Sequence, residues 1–296
     1  MKVLPIPALS DNYMYLLIDR ETDDAAIVDP VNLKSINKAV EEAGVKLTSC
    51  LVTHHHWDHA GATKELADAY SSLSIYGGDD RILGVTNKVR DGDVFKIGEL
   101  DVKCLYTPCH TAGSICYYVT DGSGDKVVFT GDTLFIGGNK KMRTFFEGNA
   151  IDMDFALNEK LANLPNDTKI YCGHEYTVDN LKFAHSVEPK NDEIKKKLAW
   201  AEERRKTGDC TVPSTIEEEK RFNPFMRVRT AGYQVIFASA TDDHYLQMAS
   251  DRSAHSPHFR FNPEPRRLRV LLLNFKLHCI PFVALDQIRQ PKFLES

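Results

Sequence analysis

Several features that would assign the chain to a specialised class of protein are missing from its sequence. Lys and Arg number 37 against 42 Asp and Glu, and the net charge of -5 excludes a broad basic surface for nucleic acid. Apolar stretches such as 268–275 are far shorter than the roughly 20 residues that span a bilayer. The first residues follow a strand pattern and not the basic and apolar pattern of a secretory leader, so we expect no secretion. We therefore expect a cytoplasmic protein that acts on a small molecule, with no nucleic-acid or membrane partner. A mitochondrial form would need an N-terminal extension.

Closely spaced cysteine pairs are also missing. The 7 cysteines are an odd number, show no Cys-x-x-Cys spacing and lie mostly in apolar, strand-like runs, so we expect reduced thiols in the core. Cys109 stands beside His110, and the pair could be interpreted as a nucleophile with its base. Adjacent side chains in an extended loop usually diverge, which favours a core thiol here as well.

The most informative feature that is present is a cluster of metal-capable side chains. Residues 53–59 read Thr-His-His-His-Trp-Asp-His and directly follow the apolar run 50–52. Imidazole and carboxylate are ligands of zinc, iron and manganese, and the cluster contains no thiolate, which favours an open catalytic site over a closed structural one. The side chains of His55 and Trp57 should alternate away from the others, so we expect them to pack or to support the ligands. The candidate ligands in the cluster are His54, His56, Asp58 and His59.

Three further candidate ligands, His110, Asp132 and His174, each follow a predicted strand. Active sites of α/β folds collect on loops at one edge of the sheet, so all the candidates can converge. The set fits two divalent ions about 3.5 to 4 Å apart with Asp132 bridging them. Water between two such ions ionises near neutral pH, which predicts hydrolysis by a bridging hydroxide. We expect the two carboxylates, Asp58 and Asp132, to be the catalytic residues.

The order of predicted elements indicates a two-sheet α/β sandwich, because strands alternate with both hairpins and helical crossovers. After His174 the sequence becomes helical and charged, which predicts a second, helical domain. We place the catalytic domain at 1–174, a helical second domain at 175–229 and a tail at 230–296.

Four local patterns predict helix positions. A helix over 33–43 should end at Gly44, and another should span 152–164. The run 192–205 is amphipathic around Ile194, Leu198 and Ala201. Ser214 and Glu217 have the spacing of a capping box.

The residues 53–59, His110, Gly131-Asp132-Thr133 and His174 together resemble the signature of the metallo-β-lactamase superfamily. Within it, the chain is most similar to the glyoxalase II, or hydroxyacylglutathione hydrolase, family over residues 1 to 229. The resemblance implies an αββα sandwich, followed by a helical domain that binds the glutathione part of a thioester. It also implies hydrolysis of S-lactoylglutathione to lactate and glutathione, in methylglyoxal detoxification.

The resemblance further implies which residues bind metal and substrate. His54, His56 and His110 would hold one ion, Asp58, His59 and His174 the other, and Asp132 would bridge them. Zinc is expected, and the same ligands accept iron or manganese. The aromatic residues Phe145, Phe146 and Tyr176 would contact glutathione. A thioester substrate also suits the ligand set, because a thiolate with a pKa of about 8 to 9 leaves without a general acid.

Two segments depart from the family pattern. The loop 137–144 is longer than in the family, and Thr144 stands where the family has a basic residue, so Arg143 or Lys141 would have to supply that charge. The tail 230–296 is rich in proline, has a basic run at 266–269 and lacks the family's C-terminal cations. A variant C-terminus and an adaptor segment are both open interpretations of the tail.

Alternative functions follow from these departures. The chain could be another enzyme of the superfamily, such as a single-iron persulfide dioxygenase, a lactonase or a β-lactamase. It could also be a catalytically impaired isoform that binds metal and docks glutathione weakly. We expect a monomer in each case.

Overall fold

Two mixed sheets build the fold, and the computed structural model describes residues 1–139 and 147–229 of it. The first sheet has six strands in sequential order. Its first two pairs are antiparallel and the next three are parallel. The strands are β1 (Lys2–Ala8), β2 (Asn12–Ile18), β3 (Asp24–Val28), β4 (Lys46–Val52), β5 (Ser74–Gly77) and β6 (Asn87–Lys88).

The second sheet also has six strands in sequential order. All its pairs are antiparallel except the pair of β10 with β11. The strands are β7 (Val94–Ile97), β8 (Leu100–Tyr106), β9 (Ile115–Thr120), β10 (Lys126–Gly131), β11 (Lys169–Cys172) and β12 (Ser214–Thr215).

The two sheets pack face to face through one apolar core. The ring centroids of Tyr15 in the first sheet and Phe129 in the second lie 5.5 Å apart. The Tyr117 hydroxyl donates to the carbonyl of Val52 across the same interface. Strand β2 is buried at every position, as expected for a strand covered on both faces, whereas β8 alternates between buried and exposed side chains.

Helices cover the outer face of each sheet. Ile36 and Leu66 pack on the first sheet, and Leu157 and Ile216 pack on the second. The α-helices are α1 (Leu33–Ala43), α2 (Trp57–Ala60), α3 (Thr63–Ala69), α4 (Ala150–Asp154), α5 (Thr177–Val187), α6 (Asp192–Lys206) and α7 (Ile216–Phe222). The layers are therefore helix, sheet, sheet, helix, and the predicted α/β sandwich followed by a helical segment is confirmed.

Most of the predicted helix positions hold. The helix α1 ends at Gly44, which has the left-handed φ of 65° that favours glycine. Ile194 and Ala201 of α6 are fully buried and Leu198 is partly buried, as the amphipathic pattern predicts. The predicted helix 152–164 is interrupted: α4 begins at Ala150, and a π-helical turn and a 3-10 turn follow it.

The capping box predicted at Ser214 is wrong. Thr215 caps α7, and its hydroxyl accepts a hydrogen bond from the backbone N–H of Glu218. Ser214 instead pairs with Ile170 in the short strand β12 and donates its hydroxyl to the buried carboxylate of Glu219. The helix therefore begins one residue later than the pattern indicates.

Residues Met1–Val228 form one compact unit. The predicted division of the chain at residue 174 stays a prediction, and the predicted tail 230–296 lies outside the described residues. Among the residues described, no helix is both long enough and apolar enough to cross a membrane.

Candidate metal centre

The structure brings all seven predicted ligands to one edge of the sandwich. The loops that follow β4, β8, β10 and β11 leave their sheets on the same side and carry the side chains toward each other. Within these loops, the side chains that can hold a cation form three overlapping groups: His54/His56/His110, His54/His59/Asp132 and Asp58/His59/His174.

The first group consists of three imidazoles. Nδ1 of His56 lies 3.1 Å from Nε2 of His54 and 3.0 Å from Nε2 of His110. Ligands bound at 2.0 to 2.1 Å around a tetrahedral zinc lie about 3.3 Å apart, so these spacings suit one ion. The first group therefore fits a divalent metal, and we name it the three-histidine site.

The third group, Asp58/His59/His174, combines two imidazoles with a carboxylate. Nε2 of His59 and Nε2 of His174 lie 3.1 Å apart, and Oδ2 of Asp58 is 3.4 Å from the latter nitrogen. We name this group the aspartate site. It offers a charged ligand that the three-histidine site does not have.

Asp132 lies between the two sites. Its Oδ1 is 3.3 Å from Nε2 of His59, and its Oδ2 is 3.5 Å from Nε2 of His110 and 3.4 Å from Nε2 of His174. Oδ1 is buried and has no hydrogen-bond partner within the described part of the chain. A buried carboxylate oxygen in that state is costly unless a cation satisfies it, which supports a metal between the groups.

Two glycines allow close packing around Asp132. A Cβ on Gly131 would lie 2.2 Å from Oγ1 of Thr53, and the φ of 47° at Gly131 also favours glycine. A Cβ on Gly173 would lie 2.4 Å from Oδ1 of Asp132. Because neither glycine has a side chain, the backbone at Gly131 can lie against Thr53, and the backbone at Gly173 can lie against the carboxylate of Asp132.

Asp29 supports the site and was not predicted from the sequence. Its Oδ2 lies 2.9 Å from Nδ1 of His59, and its carboxylate accepts hydrogen bonds from the backbone and hydroxyl of Thr53. A proton held on Nδ1 leaves Nε2 of His59 free to face the site. The available signal is its position: Asp29 directly follows β3, at the same edge as the ligands.

Asp11 and Asn12 support the aspartate site in the same way. Oδ1 of Asp11 lies 3.0 Å from Nδ1 of His174, and the side-chain amide of Asn12 donates to Oδ2 of Asp58 at 3.1 Å. These two residues were also not predicted from the sequence, because isolated polar residues at the start of a strand carry no metal-ligand spacing.

The electrostatics differ between the histidines of the site. Burial lowers the pKa of His54 well below its usual value and that of His110 to about 4, so both rings keep a free lone pair. Burial also acts to lower the pKa of His59, but Asp132 and Asp29 outweigh it and raise that pKa to about 9. This shift shows that the surrounding carboxylates attract positive charge.

The other residues singled out in the sequence have different environments. His55 lies outside the three groups, with Nδ1 3.6 Å from Oδ2 of Asp79. The prediction that Trp57 packs is wrong, because 65% of this residue is exposed. The Cys109 thiol is a core group, as expected: burial raises its pKa to about 12, and Sγ contacts the carbonyl of Asn149. All six described cysteines are free thiols.

Of the predicted substrate contacts, the structure describes Tyr176. Its ring stacks on the imidazole of His174, with centroids 4.7 Å apart and planes at 8°. Burial raises the pKa of its hydroxyl. The remaining predicted contacts lie outside the described residues: Arg143, Thr144, Phe145 and Phe146.

Two family models match the chain. The model of the metallo-beta-lactamase superfamily matches residues 10–174. The model of the hydroxyacylglutathione hydrolase C-terminus matches residues 175–257. The chain belongs to the hydroxyacylglutathione hydrolase family. This membership confirms the predicted metallo-β-lactamase sandwich with a helical domain after it, and the predicted hydrolase class.

Relatives in the hydroxyacylglutathione hydrolase family match most of the chain. The cytoplasmic hydroxyacylglutathione hydrolase of Arabidopsis thaliana is 48% identical over 231 residues, which cover 77% of this chain and 88% of the relative. A hydroxyacylglutathione hydrolase-like protein of Mus musculus is 36% identical over 280 residues, covering 94% of this chain and 98% of the relative. The mouse match therefore includes part of the tail 230–296.

Solved structures share the fold. The crystal structure of ETHE1 from Myxococcus xanthus has a TM-score of 0.58 and 27% identity, and the match covers 87% of this chain and 93% of that one. A metallo-beta-lactamase from Staphylococcus aureus has a TM-score of 0.56 and 21% identity, covering 93% of this chain and 71% of that one. The second similarity concerns the fold alone.

Proposed function

We propose that the chain hydrolyses glutathione thioesters at a centre of two divalent metal ions, with zinc expected. The specific reaction is S-lactoylglutathione and water to lactate and glutathione, in cytoplasmic methylglyoxal detoxification. The observation that carries the proposal is the position of Asp132, whose two carboxylate oxygens reach the three-histidine site and the aspartate site together. The family membership supports the substrate class.

The residues of the chain have separate tasks in this reaction. His54, His56 and His110 would hold one ion, Asp58, His59 and His174 the other, and Asp132 would bind both. Bound to these residues, divalent ions would supply Lewis-acid activation of a carbonyl and a water molecule of lowered pKa near neutral pH. Asp29 and Asp11 keep the imidazoles of His59 and His174 in the orientation that presents Nε2.

Substrate binding would occur on the side of His174 that Tyr176 covers. The Tyr176 ring lies against an imidazole of the aspartate site, so a glutathione contact there would place the thioester beside the metals. Phe145 and Phe146, with the polar side chains of Arg143 and Thr144, are the other proposed contacts. The leaving thiolate has a pKa of about 8 to 9, so it departs without a dedicated acid.

The test combines steady-state hydrolysis of S-lactoylglutathione with metal quantification on the same preparation. Asp132→Ala should reduce turnover to background, while Asp167→Ala, which removes an exposed carboxylate paired with Lys126, should have no effect. Full activity of the Asp132 variant would reject the mechanism. A single ion per active chain would instead favour a mononuclear enzyme of the superfamily.

A second comparison addresses the impaired-isoform alternative. Each missing charge-assisted hydrogen bond to glutathione would cost about 1.5 to 3 kcal/mol, which raises KM more than it lowers kcat. Measuring both constants on the full chain and on a chain ending at Arg229 tests whether 230–296 contributes to binding. A low KM for the full chain would exclude the impaired isoform.

A further inference from the structure

Arg81 forms a two-sided clamp between two carboxylates near the three-histidine site. Its Nε lies 2.9 Å from both oxygens of Asp79. Nη1 lies 2.6 Å from Oε1 of Glu147, and Nη2 lies 3.0 Å from Oε2 of the same residue. A planar guanidinium can make two such paired contacts at once, whereas a lysine ammonium is a single point of charge.

On one side, the clamp reaches the loop after β4. Oδ2 of Asp79 lies 3.6 Å from Nδ1 of His55, the residue between the candidate ligands His54 and His56. Asp79 is also packed against the loop after β8, since a Cβ on Gly113 would lie 2.5 Å from the same oxygen. Asp79 therefore contacts the two loops that carry the three-histidine site.

On the other side, the clamp reaches the backbone next to His110. Oε2 of Glu147 accepts a hydrogen bond of 2.6 Å from the backbone N–H of Ala112. The backbone N–H of Glu147 donates to the carbonyl of His110 at 3.3 Å, and that of Gly148 donates to the carbonyl of Cys109 at 2.8 Å. Glu147 thus pairs with the loop after β8 through both its backbone and its side chain.

We propose that Arg81 is a positioning residue for the three-histidine site, which it fixes by joining Asp79 and Glu147 across the loops that carry His54, His56 and His110. The proposal rests on the metal centre proposed above. Arg81 itself lies outside the groups that can hold a cation. Arg81 would keep the three imidazole nitrogens at the distances that suit one ion. Its loss should therefore weaken metal binding at the three-histidine site.

The surface exposure of the clamp differs between its two sides. The Arg81 side chain is 46% exposed and that of Glu147 is 36% exposed, and an ion pair at such positions adds little to folding stability. The Asp79 side chain is only 10% exposed, so its carboxylate would lose its cationic partner in a largely buried position if Arg81 were removed. Arg81 also lowers the pKa of Glu147 to about 2, so this pair is intact at any working pH. Removing Arg81 should therefore lower the melting temperature as well as the metal affinity, and the change in metal affinity is what separates the positioning role from general stabilisation.

The test measures metal affinity on the full chain by competition with a chromophoric chelator, and records the visible spectrum of the Co²⁺-loaded protein. Arg81→Met should weaken one of the two Co²⁺ affinities by about 10- to 100-fold, as loss of a supporting residue usually does, and should alter the ligand-field bands. Arg81→Lys should lie between that variant and the wild type. Lys88→Met, which breaks the exposed pair with Asp80, is the matched control and should bind as the wild type does.

Wild-type affinity and spectrum in Arg81→Met would overturn the proposal, whatever its melting temperature. If that variant fails to fold, Glu147→Gln decides: weaker Co²⁺ binding supports the clamp, and unchanged binding overturns it. A wild-type chain that binds no metal would overturn the proposed metal centre together with the clamp. Two ions bound normally by both the wild type and Arg81→Met would overturn the clamp alone.

Discussion

Asp29 and His59 form a buried hydrogen bond between the end of β3 and the short helix α2, with Oδ2 of the carboxylate 2.9 Å from Nδ1 of the imidazole. Asp29→Asn should weaken metal binding by about 10- to 100-fold, because a neutral amide fixes and polarises the imidazole less than a carboxylate does. Asparagine tolerates the left-handed φ of 52° at this position, so the backbone is preserved. Chelator competition provides the measurement. Asp23→Asn, at another left-handed position, is the control, and equal affinity in both variants would contradict this role.

The seven candidate ligands could be predicted because each follows a strand or lies in one dense motif. Asp29 could not, although it contacts the same site. Strands β3 and β4 are parallel neighbours, so Asp29 and the histidine motif follow their strands at the same edge of the sheet. Asp29 contacts His59 for this reason. The sequence shows a carboxylate after a strand, but strand order decides what lies beside it.

The error at Ser214 has a comparable cause. Ser214 and Thr215 both have a glutamate three residues later, so the pattern fits either start of the helix. Pairing of Ser214 with Ile170 in the second sheet keeps that residue extended and leaves Thr215 as the cap. The local sequence allows the helix to begin at either residue, and the tertiary contact between Ser214 and Ile170 decides between them.

Tyr176→Phe should separate substrate binding from metal binding. Phenylalanine keeps the stack on His174, so the metal content should not change. Losing one hydroxyl contact to glutathione should raise KM about 5- to 10-fold with little change in kcat. Steady-state kinetics with S-lactoylglutathione provide both constants. Tyr70→Phe removes a remote hydroxyl that donates to Asn37 and is the control. An unchanged KM in Tyr176→Phe would remove this tyrosine from the binding site.

Glu219 should make the folding stability depend on pH. This fully buried carboxylate accepts hydrogen bonds from Ser214, the backbone of Gly137 and Asn223. Burial nevertheless raises its pKa from 4.5 to about 7. Between those values the folded state holds a proton that the unfolded state has lost, so this group's contribution to stability falls as the pH rises. The total effect is on the order of 3 kcal/mol.

Glu219→Gln tests this dependence. The glutamine oxygen can accept from Gly137 and Asn223 while its amide donates to the hydroxyl of Ser214, which rotates to accept. The free energy of unfolding is measured in urea at pH 5 and pH 8 with metal saturating. Relative to the wild type, the variant should be more stable at pH 8 than at pH 5. Glu217→Gln, on the exposed face of the same helix, is the control. If the difference in free energy of unfolding between variant and wild type is the same at pH 5 and pH 8, Glu219 is charged in the folded state over that whole range.

Metal removal should lower the stability of the folded chain as well as its activity. Asp11, Asp29, Asp58 and Asp132 all surround the two sites, and a cation that binds the folded state alone stabilises it by mass action. At 100 to 1,000 times Kd this amounts to about 2.7 to 4.1 kcal/mol per ion, and each kcal/mol shifts the Tm of a domain of this size by about 2 to 4 °C. Calorimetry before and after chelation, followed by zinc addition, should show a fall and recovery of Tm of at least 5 °C.

Asp132→Ala is the comparison and should show a smaller recovery, because that variant lacks the carboxylate proposed to bind both ions. An equal recovery in the variant would mean that Asp132 does not bind metal.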